Sequence, residues 1–507
     1  MTLEDLRRLL EQAGPVGAVA GWPADAASRP LAGVAYDSRQ VVPGSVFFAL
    51  HGQQADGAAF APQAIARGAV AVVAESVPPA GTAATWFAVA DARRALAIAS
   101  DAWYHHPSHD MQVVGITGTN GKTTTAYLLS AIFEAAGIPC GILGTVVYRI
   151  GTEEREATRT TPEAPDVQRL LCEMVDRGSG ACAMEVSSHA LALHRVDGMH
   201  FAAAVFTNLT RDHLDFHRDM ESYFAAKRRL FEMLDAGAPA VVNLDDPRGA
   251  TLAALVQRPV TYGIRQPADI APGPLSVGLD GLRFDVRTPQ GRLRIESPLV
   301  GRPNAYNILA AVGAASALGL PLDAIERGVR TLARVPGRFQ VVSNPSDELT
   351  VVVDYAHTDD ALRNLLETAR PLARGRLITV FGCGGNRDRT KRPLMGAVAA
   401  RLSDVVIVTS DNPRGEDPAR IIQEVRRGLT PDTTRDTGAS ALQHLEIVDR
   451  KAAIGKAIEL ARPGDLVLIA GKGHEHYQII GDRVLPFDDV AVARDALARR
   501  RTNSGVR

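Results

Sequence analysis

The run Val113-Val114-Gly115-Ile116-Thr117-Gly118-Thr119-Asn120-Gly121-Lys122-Thr123-Thr124-Thr125 sets glycines, one lysine and several hydroxyls in an order that suits phosphate chemistry. Its β-branched start reads as a strand, its glycines as a tight turn, and Ala126-Tyr127-Leu128-Leu129 as the opening of a helix. At such a helix start the free N–H groups and the helix dipole attract an anion, and glycines let phosphate oxygens come close. Lys122 can then reach the β- and γ-phosphates, while the Thr123 hydroxyl can hold Mg²⁺. The spacing departs from the strict P-loop, since Ile116 stands at the place of the first glycine and Gly118 comes later. An ordinary strand–turn–helix with a chance Gly-Lys-Thr is the plain alternative. The strand-like run before it and the helical pattern after it favour ATP or a relative.

Three further features carry chemical content. Glu185 closes the strand-like run ending Met184-Glu185-Val186-Ser187-Ser188-His189; a carboxylate at a strand tip beside a P-loop is a usual second support for nucleotide-bound Mg²⁺, although a solvated glutamate reads the same way. The stretch Thr210-Arg211-Asp212-His213-Leu214-Asp215-Phe216-His217 is dense enough in His and Asp for a metal or phosphate site, or for a surface turn. After it, Met220, Tyr223, Phe224, Leu230, Phe231 and Leu234 mark an apolar helical stripe, and Lys227 falls on that stripe. Lysine is rarely buried unpaired. Either its stem snorkels past the stripe or the amine is aimed into a site. A buried amine has a lowered pKa and can take up CO₂ as a carbamate, a carboxylate-like ligand.

Elements at regular intervals must hold these groups. At 507 residues the chain exceeds one core, and three domains are expected. Lys+Arg of 56 against Asp+Glu of 57 gives no basic excess for nucleic acid or an anionic membrane. Cys140, Cys172, Cys182 and Cys383 show no metal-ligand spacing. The opening Met1–Leu10 is an amphipathic helix rather than a secretory signal, and no apolar run spans a bilayer, so a cytoplasmic protein is expected.

A first α/β unit is expected over residues 1–110, with Tyr36-Asp37-Ser38-Arg39 and the turn-rich stretch from His51 to Gly57 in loops. The second, 111–336, starts with the P-loop strand. It continues through runs at Gly141–Val146, Ala181–Val186, Ala203–Asn208 and Ala240–Leu244, separated mostly by helical patterns, as in a parallel sheet. An antiparallel appendage is expected from Pro272 to Gly301, then a small-residue helix, then a linker at Val335-Pro336-Gly337-Arg338. The third unit, 337–507, repeats the α/β alternation with strands at Leu349–Asp354, Leu377–Phe381, Val405–Thr409 and Leu466–Ala470. The last three end in polar or Gly-rich loops, where ligands of open α/β sheets bind.

With these residues in place, the chain resembles the Mur ligase family over nearly its whole length. The resemblance rests on Gly118-Thr119-Asn120-Gly121-Lys122-Thr123, Glu185, His213, Asn304 with Asn307, Arg338 and Asp354, in that order. It implies three domains: a small N-terminal α/β domain, a central P-loop mononucleotide-binding parallel sheet and a C-terminal Rossmann-like domain. It also implies an ATP- and Mg²⁺-dependent amide ligase. Asp354-Tyr355-Ala356-His357-Thr358, Phe381-Gly382-Cys383-Gly384-Gly385 and Gly471-Lys472-Gly473-His474-Glu475 point to the branch that adds meso-diaminopimelate to UDP-N-acetylmuramoyl-L-alanyl-D-glutamate. The alternative is another ligase of the superfamily, such as a folylpolyglutamate-type or an L-lysine-adding enzyme.

The implied roles follow the motifs. Gly118, Thr119, Asn120, Gly121, Lys122, Thr123 and Thr124 would bind the nucleotide, with Asn304, Arg338 and Asp354 from the domain junction. Thr123 and Glu185 would share one metal, and His213 with a carbamylated Lys227 the second; Lys122, Glu185, His213 and Lys227 form the catalytic set. Ser38, Gln53, Gln54 and Ala55 match UDP contacts, and Thr160, Thr161, Ser187 and Arg195 contacts to the muramoyl-dipeptide. Arg387, Asp411, Asn412, Pro413, Arg414, Gly471 and Glu475 match the incoming amino-acid site. A monomer is implied. The chain departs from its relatives at Arg159 and Leu193, where some have Asn and Gln, and at Asp359, where Pro is common and a looser loop is expected.

Overall fold

The computed structural model describes residues 1–52, 56–82, 84–344, 346–429 and 442–504. Three sheets follow one another along the chain. In the first, Val16–Ala20, Thr85–Val89, Ala71–Ala74, Ser45–Ala49 and Gly33–Ala35 lie side by side in that order, all parallel except the first.

The middle sheet has eight strands in the order Pro259–Tyr262, Ala240–Asn243, Ala203–Phe206, Gln112–Thr117, Ala181–Glu185, Cys140–Leu143, Val147–Ile150 and Glu153–Glu156. The first six are parallel and the last two form an antiparallel extension. Parallel strands are covered on both faces, which is why they read as near-continuous Val, Ile and Ala. One face packs on Lys122–Ala135 and on Arg302–Ala317, a helix of small residues buried almost all round, while the Met220–Glu232 helix contributes to the core on the other. The expected strand at Gly141–Val146 is shorter, since the chain leaves it at Gly144, where a Cβ would run into the Glu185 carboxylate.

The expected antiparallel appendage is present, with Gly281–Thr288 and Gly291–Ser297 as its long hairpin, alternately buried and exposed along the first strand. The third sheet runs Gln340–Val341, Thr350–Asp354, Leu466–Ala470, Leu377–Phe381, Val405–Val408 and Gln443–Glu446, parallel apart from its short first strand. Beside it a two-stranded hairpin, Tyr477–Ile480 with Arg483–Pro486, was not anticipated.

Between the second and third sheets the chain turns at Gly337, with φ +65°. A Cβ at that position would collide with the His474 amide nitrogen. Gly337 O accepts from the Tyr355 amide at 2.9 Å. The looser loop expected at Asp359 does not form: Thr358 Oγ1 accepts from the Ala361 amide at 3.2 Å, and Asp359 begins the helix Asp359–Ala369. An acidic first turn suits the helix dipole, so the proline is replaced without loss of the turn. No helix among the described residues is long and apolar enough to cross a membrane.

Candidate active site

The strand Gln112–Thr117 lies between Ala203–Phe206 and Ala181–Glu185, at the point where the chain switches from one side of the middle sheet to the other. Loops at such a switch point splay apart and leave a crevice. Gly121, at φ +91°, caps the helix Lys122–Ala135, and a Cβ there would strike Asn307 Oδ1. A Cβ on Gly118 would strike Thr207 Oγ1. The two glycines therefore let the loop sit closely against its neighbours. Lys122 Nζ donates to Gly118 O at 2.9 Å and Thr119 O at 2.8 Å, curling the loop around the ammonium. Thr119 Oγ1 bonds Thr210 O at 3.1 Å, and Asn120 N donates to Asn208 Oδ1 at 2.9 Å. Thr124 is buried in the first turn of that helix. The third sheet's unit reaches the same loop, through Arg338 Nη2 on Thr123 Oγ1 at 3.1 Å and Asp360 Oδ2 accepting from Asn120 Nδ2 at 3.2 Å. Asn304 is turned to Val300 O at 2.8 Å and supports Asn307, whose Nδ2 donates to Asn304 Oδ1 at 3.0 Å. Asp354 accepts from the amides of Phe339 at 2.6 Å and Ala356 at 2.7 Å; burial raises its pKa against the opposing charge of Arg338.

Glu185, 1% exposed, is held by one residue: Thr145 donates its amide to Oε1 at 2.8 Å and its hydroxyl to Oε2 at 3.0 Å. Thr160 Oγ1 lies 3.0 Å from the same Thr145 hydroxyl, and Thr161 Oγ1 donates to Glu185 O at 2.8 Å. Ser187 caps the next helix, and Arg195 donates to Thr161 O at 3.0 Å while pairing with Glu163 at 2.7 Å. Glu185, Thr160, Thr161, Ser187 and Arg195 are thus joined, through Thr145, in one hydrogen-bonded network. Arg159 is drawn onto Glu163 at 2.7 Å, and Leu193 ends the Ser188–Ala192 helix.

His213 sits in a left-handed turn, φ 55°, with its ring 4.8 Å from that of His189. Burial lowers its pKa to about 4, against the opposing pull of Asp212, so the ring is neutral and able to act as a ligand at pH 7. Lys227 is 1% exposed on the buried face of the Met220–Glu232 helix, its Nζ donating to Gly118 O at 2.8 Å and lying 4.4 Å from the Tyr223 ring centroid. Burial first, and the charge of Lys122 second, push its pKa well down. The snorkelling alternative fails: the amine ends inside, at the P-loop. Among the described residues no group of three His, Cys, Asp or Glu could hold a metal. Thr123 and Glu185 offer the hard oxygen donors that suit Mg²⁺, whereas an amine such as that of Lys227 does not. Conversion of that amine to a carbamate would supply the missing oxygens.

Facing these groups across a cavity of about 970 Å³ are the strand ends of the third sheet. Thr160 and His213 line one side; Arg387, Asp411, Asn412, Arg414, Gly471 and Glu475 line the other. Arg414, φ 51°, donates Nη1 to Gly385 O at 3.0 Å, and its backbone is clamped by the unanticipated hairpin, through Ile479 O at 3.1 Å and the Gly481 amide at 2.7 Å. Among the described residues its Nη2 and Nε have no hydrogen-bond partner. Pro413 O accepts from the Glu416 amide at 3.0 Å, closing the turn that carries Arg414.

Three family models match this chain: "Mur ligase family, catalytic domain" over residues 30–104, "Mur ligase middle domain" over 116–315 and "Mur ligase, glutamate ligase domain" over 337–473. A UDP-N-acetylmuramoyl-L-alanyl-D-glutamate–2,6-diaminopimelate ligase of Solibacter usitatus is 49% identical over 93% of this chain and 94% of its own length. The chain belongs to the Mur ligase family. A ligase of the same name from Geobacter metallireducens is 48% identical over 96% of this chain and 97% of its own. A solved structure bearing that name is 35% identical, with a TM-score of 0.67 and coverage of 99% of both chains. A MurF ligase of Thermotoga maritima in complex with ADP shares the fold at 18% identity and a TM-score of 0.60, over 92% of this chain and 98% of its own.

Within this Mur ligase the first sheet's unit stands apart from the cavity: Ser38 is buried with Oγ on Gln63 Oε1 at 2.9 Å. Gln53, Gln54 and Ala55 lie outside the described residues. Two buried arginines that the sequence did not single out shape the loops. Arg450 pairs with Asp489 at 2.7 Å and ties Ala470 O, at 3.0 Å, to Ser410 O, at 3.4 Å, joining the two strand ends that lead into Gly471 and Asp411. Arg392 bonds Glu416 at 2.9 Å and Gly384 O at 3.2 Å, fixing the loop before Arg387.

The Glu416 pair predicts a pH dependence. Hydrogen bonding to Arg392 holds the Glu416 pKa at about 2, below its ordinary 4.5. The unfolded chain therefore takes up a proton before the folded one does, and the stabilisation, full above pH 4.5, is lost as pH falls toward 2. Glu416→Gln is expected to melt below the wild type at pH 7, with the gap narrowing steadily between pH 4.5 and 2. A constant gap would show that the carboxylate charge does not matter.

Proposed function

We propose that this Mur ligase joins an amine of meso-diaminopimelate to the γ-carboxylate of the D-glutamyl residue in UDP-N-acetylmuramoyl-L-alanyl-D-glutamate, converting ATP to ADP and phosphate. The observation that carries the reading is the cavity with Thr160 and Thr145, the residue that holds Glu185, on one wall and Asp411, Asn412, Arg414, Gly471 and Glu475 on the other. Names shared by relatives at nearly half identity and near-full coverage support it.

In this reading the glutamyl carboxylate attacks the γ-phosphorus of ATP to give an acyl phosphate and ADP. The amine then attacks the acyl carbon, and phosphate leaves from the tetrahedral intermediate. Lys122 and the N-terminus of the helix Lys122–Ala135 neutralise charge on the transferring phosphoryl group, so catalysis is mostly positioning and electrostatics. Thr123 and Glu185 would hold one Mg²⁺, and His213 with carbamylated Lys227 a second; these ions would supply further charge neutralisation. Arg338, which already spans to Thr123, with Asn304 and Asp354 behind it, would contact the nucleotide from the junction. Thr161, Ser187 and Arg195 would receive the muramoyl-dipeptide and Ser38 with its neighbouring loop the UDP. Arg414, Asn412 and Glu475 would receive the amino acid. Domain limits near 110 and 336 divide the chain accordingly. All these groups come from one chain, which supports action as a monomer, and a reaction that consumes ATP supports a cytoplasmic role in peptidoglycan precursor synthesis.

The test is ADP release with the nucleotide-dipeptide and each candidate amine in turn. Release with meso-diaminopimelate and little with L-lysine is expected. Preference for lysine would overturn the assignment of the amine, and release with a folate in place of the nucleotide-dipeptide would overturn that of the acceptor.

A further inference from the structure

Lys472 follows Gly471 at the end of the strand Leu466–Ala470, and its side chain has no exposure to solvent. Its Nζ lies 2.8 Å from Glu475 Oε2, 3.1 Å from Asn412 Oδ1 and 3.5 Å from Asp411 Oδ1. The Tyr477 ring centroid is 5.5 Å away on another side. Three protons thus meet three acceptors drawn from two loops, and the ammonium has nothing left to offer a ligand. Whatever it does for binding, it does through its neighbours.

Those neighbours are set by it in a definite way. Asn412 Oδ1 also accepts from the Ile479 amide at 3.0 Å, while Asn412 Nδ2 donates to Glu475 Oε2 at 2.9 Å. A flipped Asn412 would set its NH₂ against both the ammonium and the Ile479 amide, so only one orientation is satisfied. Glu475 Oε2 is then occupied twice, by Lys472 and by Asn412. Among the described residues Glu475 Oε1 receives no donor, and Glu475 lines the cavity. Asp411 and Glu475 place two carboxylates around a single buried cation. Without that cation Glu475 would lose the charge that holds its Oε2 and would be free to rotate away.

We propose that Lys472 is a positioning residue of the amino-acid site: by holding Glu475 Oε2 and fixing the Asn412 amide, it presents Glu475 Oε1 as the acceptor for the ammonium group of the incoming amino acid. This rests on the function proposed above, and concerns the group that makes the site accept a zwitterion at all rather than the choice between amines.

The experiment uses the full chain. Lys472→Met keeps the stem and removes the charge; KM and kcat are measured for meso-diaminopimelate, and KM for ATP and for the nucleotide-dipeptide. KM for meso-diaminopimelate should rise about 30-fold, as when one partner of a buried charge pair is removed, with the other two KM values within about twofold of the wild type. On a Glu475→Gln background the same change should add little, because the group through which Lys472 acts is already neutral. Equal rises in all three KM values, or equal penalties on both backgrounds, would overturn the proposal and leave Lys472 a structural residue. If Lys472→Met does not fold, the double variant, which holds no unpaired Glu475 carboxylate, is compared with Glu475→Gln alone; a further large rise in KM overturns the proposal and an unchanged KM supports it. A wild type that turns over with L-lysine instead fails the substrate reading alone, and the same ratios are then read with lysine.

Discussion

Lys227→Ala is expected to lower ligation by about 10³-fold or more, the scale on which lost transition-state charge stabilisation is felt. The amine is buried on Gly118 O with its pKa pushed well down by burial, and in the proposed carbamate role its removal would strip a second metal of oxygen donors without touching Thr123 or Glu185. Truncation also opens a space the length of a lysine stem inside the Met220–Glu232 helix contact. Short carboxylic acids such as acetate or propionate should enter that space and restore part of the rate, standing in for the carbamate. Full activity of Lys227→Ala would remove Lys227 from the metal support. An inactive, correctly melting variant that no acid rescues would assign the effect to the bond from Nζ to Gly118 O, which shapes the loop directly.

Arg414→Ala should damage kcat/KM for meso-diaminopimelate far more than for L-lysine. The two amino acids differ by one carboxylate, which a guanidinium can take in a bidentate fork. Arg414 has one nitrogen on Gly385 O and two, Nη2 and Nε, without a partner among the described residues, on the edge needed for such a fork. Lysine offers that fork no acceptor and brings a like charge, and sites built to pair a polar group reject an analogue lacking it by roughly 10⁴. Loss of the guanidinium should therefore collapse most of the preference. The bond to Gly385 O gives the competing outcome its physical basis: equal losses for both amines would mean that Arg414 holds the glycine loop and does not read the substrate.

Much of this was legible because parallel sheets bury both strand faces and put chemistry at strand ends. Ala181–Glu185 and Leu466–Ala470 were visible as apolar runs, and their polar ends marked Glu185 and Gly471 before any fold was known. Lys227 was visible as a charge on an apolar face. The hairpin Tyr477–Ile480 with Arg483–Pro486 was not, since its strands are four residues long and half exposed, with no clear alternation. Arg450 and Arg392 were hidden for a different reason. Each is satisfied by partners distant in sequence, Asp489 for the first and Glu416 for the second, and nothing local shows that an arginine will meet a carboxylate once the chain has folded.

The turn at Gly337 joins two halves of the cavity, and it is also pressed against one of them. Its oxygen holds Tyr355, and the Arg338 guanidinium carbon lies 4.6 Å from the Tyr355 ring centroid, which also packs on His357 at 4.6 Å and His474 at 4.9 Å. The pivot and the amino-acid loop therefore share a bearing surface. A lever whose fulcrum rests on its own load cannot turn without moving that load, so any rotation of the third unit about this turn would displace Gly473 and His474, and a ligand held by their loop would bias it. Thermodynamic reciprocity makes the two influences equal in free energy. The joint between the second and third sheets is thus also part of the packing that holds the Gly471–Glu475 loop.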